Sequence, residues 1–135
     1  MDDMEGMGAD SAAPAAPMPA GDMPTVMIVS PAEGDTVATG ALTVTLDVGG
    51  MSIVMAGDTT PNTGHHHLFL DRDVSSPGIA IPAEPGYIVH MGDASTSYTF
   101  ENVTPGEHRL IAVVGDGLHI PLQPWVVDTV RFVVR

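Results

Sequence analysis

The chain has no cysteine and no lysine among its 135 residues. Without thiols there is no disulfide, no thiolate zinc site, no iron–sulfur cluster and no cysteine nucleophile. A blue-copper centre is excluded as well, because it needs a cysteine sulfur. Positive charge is scarce: four arginines face seventeen acids, for a net charge of −13. That balance argues against nucleic acid, where affinity rests on cations at phosphates. It also argues against docking on an anionic membrane surface. It suits attraction of cations or basic partners, and solubility. No apolar run approaches the roughly 20 residues needed to cross a bilayer as a helix. Without lysine there is no G-x-x-x-x-G-K phosphate loop. No G-x-S-x-G elbow is present, and the acids are too scattered to single out a glycosidase pair. The expectation is a protein that is not an enzyme.

What is present points to β structure. Twelve prolines, fifteen glycines and a 44% hydrophobic fraction, with no amphipathic helical pattern, describe one turn-rich domain. Residues 1–24 are a low-complexity stretch of Met, Ala, Pro, Gly and Asp with five acids and no base. Such a segment cannot bury enough apolar surface to offset its ordering entropy. It is expected to be disordered or bound to a partner. Its first residues are acidic and lack an apolar core, so no signal peptide is read, and the expectation is a mature or trimmed form of an exported protein.

From Thr25 onward short strands recur. They are TVMIVS, LTVTLDV, HHHLFLD, GIAIP, GYIVH, TSYTF, HRLIAVV and WVVDTVRFVVR, separated by turns such as SPAEGD, AEPG and NVTPGE. Residues 25–135 are therefore read as an immunoglobulin-like antiparallel β-sandwich of seven to eight strands, with a small Greek-key barrel as the alternative. Trp125 reads as a core anchor.

The stretch GHHHLFLD sets three histidines in a row before an apolar run, unlike a terminal tag. Neighbouring strand residues point to opposite faces. His66 shares its parity with Leu68 and Leu70 and so faces the core, while His65 and His67 reach together with Phe69 and Asp71 on the other face. Following the strands up and down brings His65, His66, His67, His90 and His119 to one end of the sandwich. His108 falls at the other end, where backbone groups would satisfy it. Imidazole is the commonest protein ligand for zinc, copper, nickel and iron. His65, His67, His90 and His119 are the candidate ligands of an open copper or zinc site. His66, Met91 and Asp116 are further candidates at the same end, and Asp93 and Asp116 could act as outer partners. The competing expectation is that these histidines only bond loop carbonyls. Met1, Met4 and Met7 repeat every third residue in the tail, followed by Met18 and Met23, and thioethers favour Cu(I). Met4 and Met7 are therefore also candidate donors. Against that stands methionine's ordinary use as an adaptable packing residue.

The segments GHHHLFLD, HMGDAST and PGEHRLIAVVGDGLHIPLQP, in that order, resemble a family of bacterial exported domains of unknown function. That family is marked by a Gly-His-His-His-Leu strand, a His-x-Gly segment, a Pro-Gly-x-His-x-Leu strand and a Gly-Asp-x-x-His-x-Pro loop. The resemblance spans residues 25–135 and implies an exported β-sandwich with no defined activity. The chain departs from the pattern at Leu122, where the family loop carries a second histidine, and at Gly117, where a histidine is frequent. The readings converge on a non-enzymatic extracytoplasmic binding module (periplasmic, cell-surface or secreted) with a histidine-rich copper or zinc site. The alternative is an accessory structural subunit of an envelope complex or filament, held by its tail docking on a neighbouring protein.

Overall fold

The computed structural model describes residues 23–135. The tail readings, Met4 and Met7 included, lie outside the described residues. Among the described residues nine strands follow in chain order: β1 Thr25–Ser30, β2 Thr36–Val37, β3 Gly40–Gly49, β4 Ser52–Ile53, β5 Thr63–Leu70, β6 Ile88–His90, β7 Ser97–Val103, β8 Gly106–Gly115 and β9 Val127–Val134. They form a three-stranded sheet, β1-β3-β7, and a six-stranded sheet, β2-β9-β8-β5-β4, with β6 also pairing β5. The two sheets make a sandwich. No helix among the described residues is long and apolar enough to cross a membrane.

Period-2 alternation builds the central core. β3 buries Leu42, Val44 and Leu46 and exposes the residues between them. Leu68 and Leu70 of β5, Leu110, Ala112 and Val114 of β8, and Val130, Phe132 and Val134 of β9 meet them from the other sheet. This alternation is the signature of a sheet with one buried face.

Three expectations change. The two extra strands are two-residue parallel pairings, β2 on β9 and β4 on β5, too short to leave a sequence pattern. GIAIP forms no strand. Prolines flank it, Gly78 takes a positive φ of 85°, and Ile81 turns inward as a plug. Proline cannot donate to a strand ladder, so such a segment favours loop over sheet. The third change is that the outer face of β5 is not a free surface: every residue from Gly64 to Leu70 is buried. Loops 71–87 and 116–126 fold over this face. Ile81 of the first loop joins Phe69, Ile88, Ile111 and Val113 of the strands in a second, smaller core, against which Trp125 of the other loop packs half-buried.

Loop 71–87 is clamped by Arg72. Its Nε and Nη2 donate to the Glu84 carboxylate, Nη2 at 2.8 Å, and its guanidinium lies 3.9 Å from the centre of the Tyr87 ring. The two loops are tied together by Ile81 N–H donating to the His119 carbonyl at 2.8 Å.

At the far end of the sheet, His108 bonds through both ring nitrogens, to Asp71 Oδ2 at 2.6 Å and to the Thr104 carbonyl at 2.7 Å. Two acceptors favour the doubly protonated ring. Burial opposes the charge, but the Thr104 carbonyl and the Asp71 carboxylate together outweigh it and raise the His108 pKa. A raised folded-state value contributes stability at low pH that is lost as pH rises through it. Asp71→Asn is therefore expected to lower the His108 pKa, and a ring-proton NMR titration measures it. An unchanged midpoint would show that Asp71 contributes nothing to the charge.

Candidate metal centre

The centre forms where three chain segments meet on the outer face of the six-stranded sheet. β5 supplies His65 and His67, two residues apart and so on one face. β6 places His90 directly across from His67. The loop after β8 supplies His119. That residue has a φ of 66°, in the left-handed region where non-glycine residues are uncommon. The loop holds it there. Its N–H donates to the Asp116 carbonyl at 2.9 Å, and its carbonyl accepts from Ile81. The Asp116 side chain shapes the turn, its Oδ1 accepting from the N–H groups of Leu118 and Ile120.

Three nitrogens converge. Nδ1 of His119 lies 3.0 Å from Nε2 of His65 and 3.2 Å from Nε2 of His67. One ligand atom from each residue can be chosen so that all three lie within 4.8 Å of one another. Tetrahedral ligands at metal–nitrogen distances of about 2.0–2.1 Å stand roughly 3.3–3.4 Å apart. The two observed separations are within a few tenths of an ångström of that. His119 Nδ1 carries either one proton or one lone pair, so it can form a good hydrogen bond with only one of the two facing nitrogens. A cation takes a lone pair from each ring and removes the conflict. The Nδ1 atom of His65 is buried without a hydrogen-bond partner, so packing holds this ring.

The rings are held neutral. Burial pushes His65 down to about 4, with repulsion from His119 and His90 adding and Asp116 opposing. Burial pushes His67 to about 2, helped by repulsion from the three neighbouring histidines. Burial also lowers His119, with a further contribution from His90 and opposition from Asp116. Neutral imidazole is the ligating form. His65 and His67 are fully buried, while His90 and His119 are partly open, so that side is the way in.

His90 stands beside the converging set. Its ring centre is 4.6 Å from that of His67 and 4.5 Å from that of His119. Its Nε2–H donates to the Pro82 carbonyl at 3.0 Å, which leaves the lone pair on Nδ1. His66 lies on the inner face and is fully buried. Met91 is also in the inner core. Asp93 is exposed and caps its own turn through Ser95 N–H, so it is not an outer partner of these rings.

Two glycines that sequence reasoning missed as site residues shape the centre. Gly115 pairs directly with His65 across the strands. A Cβ on Gly115 would fall 2.7 Å from Cε1 and 3.1 Å from Nδ1 of His67. Gly115→Ala is expected to push the His67 ring out of place and cost about 1–3 kcal/mol, the usual range for overpacking. Urea denaturation gives the stability, and an unchanged midpoint would show that the ring has room. Gly117 packs on the Asp58 backbone, where a Cβ would sit 2.5 Å from the Asp58 carbonyl oxygen. That contact leaves no room for a histidine. Leu122 packs on the inner core instead of presenting a ligand. The signal for both glycines was their place in a histidine-bearing strand and loop, but only the cross-strand register shows what they touch.

The family model described as "Domain of unknown function (DUF4399)" matches residues 44–135. No curated protein matches. Among solved structures, an engineered protein is similar at 16% identity with a TM-score of 0.46, over 97% of this chain and 32% of that one. The chain thus spans about a third of that structure's length.

Proposed function

We propose that this chain, which belongs to the DUF4399 family, is a non-enzymatic extracytoplasmic binding module that captures one copper or zinc ion on His65, His67 and His119, with His90 as a further donor through Nδ1. The observation that carries the reading is the convergence of three neutral ring nitrogens, two of them fully buried, at separations near those of a ligand set. The donors are all nitrogen, which suits copper and zinc and disfavours calcium and magnesium, whose ligands are oxygens. Three protein ligands leave a position for water, for His90 or for a group on a partner. Handover would follow from that open side, and the acidic surface would raise the local cation concentration.

The test is metal content of untagged protein, followed by copper and zinc titration of the natural chain and of His65→Ala/His67→Ala. Stoichiometric metal lost in the double variant supports the site. Binding no tighter than micromolar on an intact fold overturns it. The alternative, an accessory subunit of an envelope assembly, is favoured by Met27 and Val29, which are 53% and 47% exposed on β1.

A further inference from the structure

We infer that the inner face of the same strand end is a second, soft-cation site, made by the His66 imidazole with the thioethers of Met51 and Met91 and suited to Cu(I). His66 is fully buried, and neither of its ring nitrogens has a hydrogen-bond partner. A neutral imidazole carries one donor and one acceptor, so both are left unmet. Native proteins seldom keep such a group without a ligand, a water or a function to account for it.

The strand register names the neighbours of His66. Val114 lies directly opposite on β8. On the other side Met91 continues the β6 register and donates its N–H to the His66 carbonyl at 2.9 Å. Leu68 and Gly64 are two residues away on the same face. Gly64 leaves space that its neighbours fill: a Cβ there would stand 2.7 Å from Val114 Cγ1 and 3.3 Å from Met51 Cε. Met51 therefore lies along the inner face of β5 within two residues of His66. Met91 is buried in the central core, and Met51 packs against it, partly buried. Register and packing thus bring two thioether side chains, Met91 and Met51, to the part of the core that holds this imidazole.

One imidazole nitrogen and two thioethers form a neutral, soft donor set that matches Cu(I) and is poor for zinc, calcium or magnesium. The site does not rest on the outer centre. Adjacent strand residues point to opposite faces, so the sheet separates His66 from His65 and His67.

The test uses the full chain, labelled with nitrogen-15 at histidine and titrated with Ag(I) as a redox-silent stand-in for Cu(I). Thioethers are soft donors wherever they stand in the chain, so the readout is made at the His66 ring itself. It is repeated with His119→Asn, which disables the outer set alone. The expected result in both chains is a shift of one His66 ring nitrogen with splitting by silver. Met51→Leu/Met91→Leu is a volume-conserving change and should weaken that response by about tenfold or more. His66 resonances unmoved at saturating Ag(I), or moved equally in the leucine variant, overturn the inference.

Discussion

His119→Asn is expected to abolish Cu(II) and zinc binding at the outer centre while leaving the metal-free fold almost unchanged. His119 is the one member of the converging set carried by a loop, and it is only partly buried. Its backbone sits in the left-handed region, which asparagine adopts more readily than most residues. The hydrogen bonds that hold the loop use the backbone of residue 119 and the Asp116 side chain, and they survive the change. A ligand at a hundred times its Kd adds about 2.7 kcal/mol to stability. For a domain of this size that is roughly a 10 °C rise in Tm. The natural chain should show that rise with Cu(II) or zinc, and His119→Asn should show none at the same concentration. A variant that still gains the full rise would mean that the three nitrogens are not the ligand set.

Acid should unfold the metal-free domain well before its carboxylates are all protonated. His65, His66 and His67 are fully buried, and burial is the first cause of each lowered pKa: about 4 for His65, about 4 for His66 and about 2 for His67. For a histidine whose folded-state value is depressed, stability is complete above the ordinary value of about 6.5. It is lost as pH falls, because the unfolded chain takes up protons that the folded chain refuses. Each such residue costs about 1.4 kcal/mol per pH unit, so three cost roughly 4. Between pH 6.5 and pH 4 the loss is on the order of several kcal/mol, a large share of a whole domain's stability. Urea midpoints measured across this range should fall steeply. His66→Leu removes one of the three protons and should flatten the slope by about a third. Saturating zinc should move the transition to lower pH, since bound His65 and His67 do not protonate. A domain equally stable at pH 7 and pH 4.5 would mean that these rings open to water or find partners.

Much of this was legible in the chain itself. The alternation in LTVTLDV marks one buried face, and β3 buries Leu42, Val44 and Leu46. The parity that sets Leu68 with His66, and His65 with His67, follows from the pleat alone. The lack of cysteine by itself removes thiolate metal chemistry. Turn residues bound most strands closely enough to bring His90 and His119 toward the β5 histidines. Composition also set the acidic surface.

The rest needed the tertiary structure, because it depends on contacts between distant segments. Parity gives a side chain's face but not what covers it. That the outer face of β5 is sealed by loops 71–87 and 116–126 is settled by Ile81, Trp125 and the Arg72–Glu84 clamp. A loop's path is set by its anchors, and the left-handed turn at His119 aims Nδ1 at two strand nitrogens fifty-odd positions earlier. The same holds for the glycines. Gly115 is an ordinary strand residue in sequence, and only the pairing with His65 makes its missing Cβ the space that His67 occupies. Sequence determined which residues could act together, and close packing across the sheet decided which of them meet.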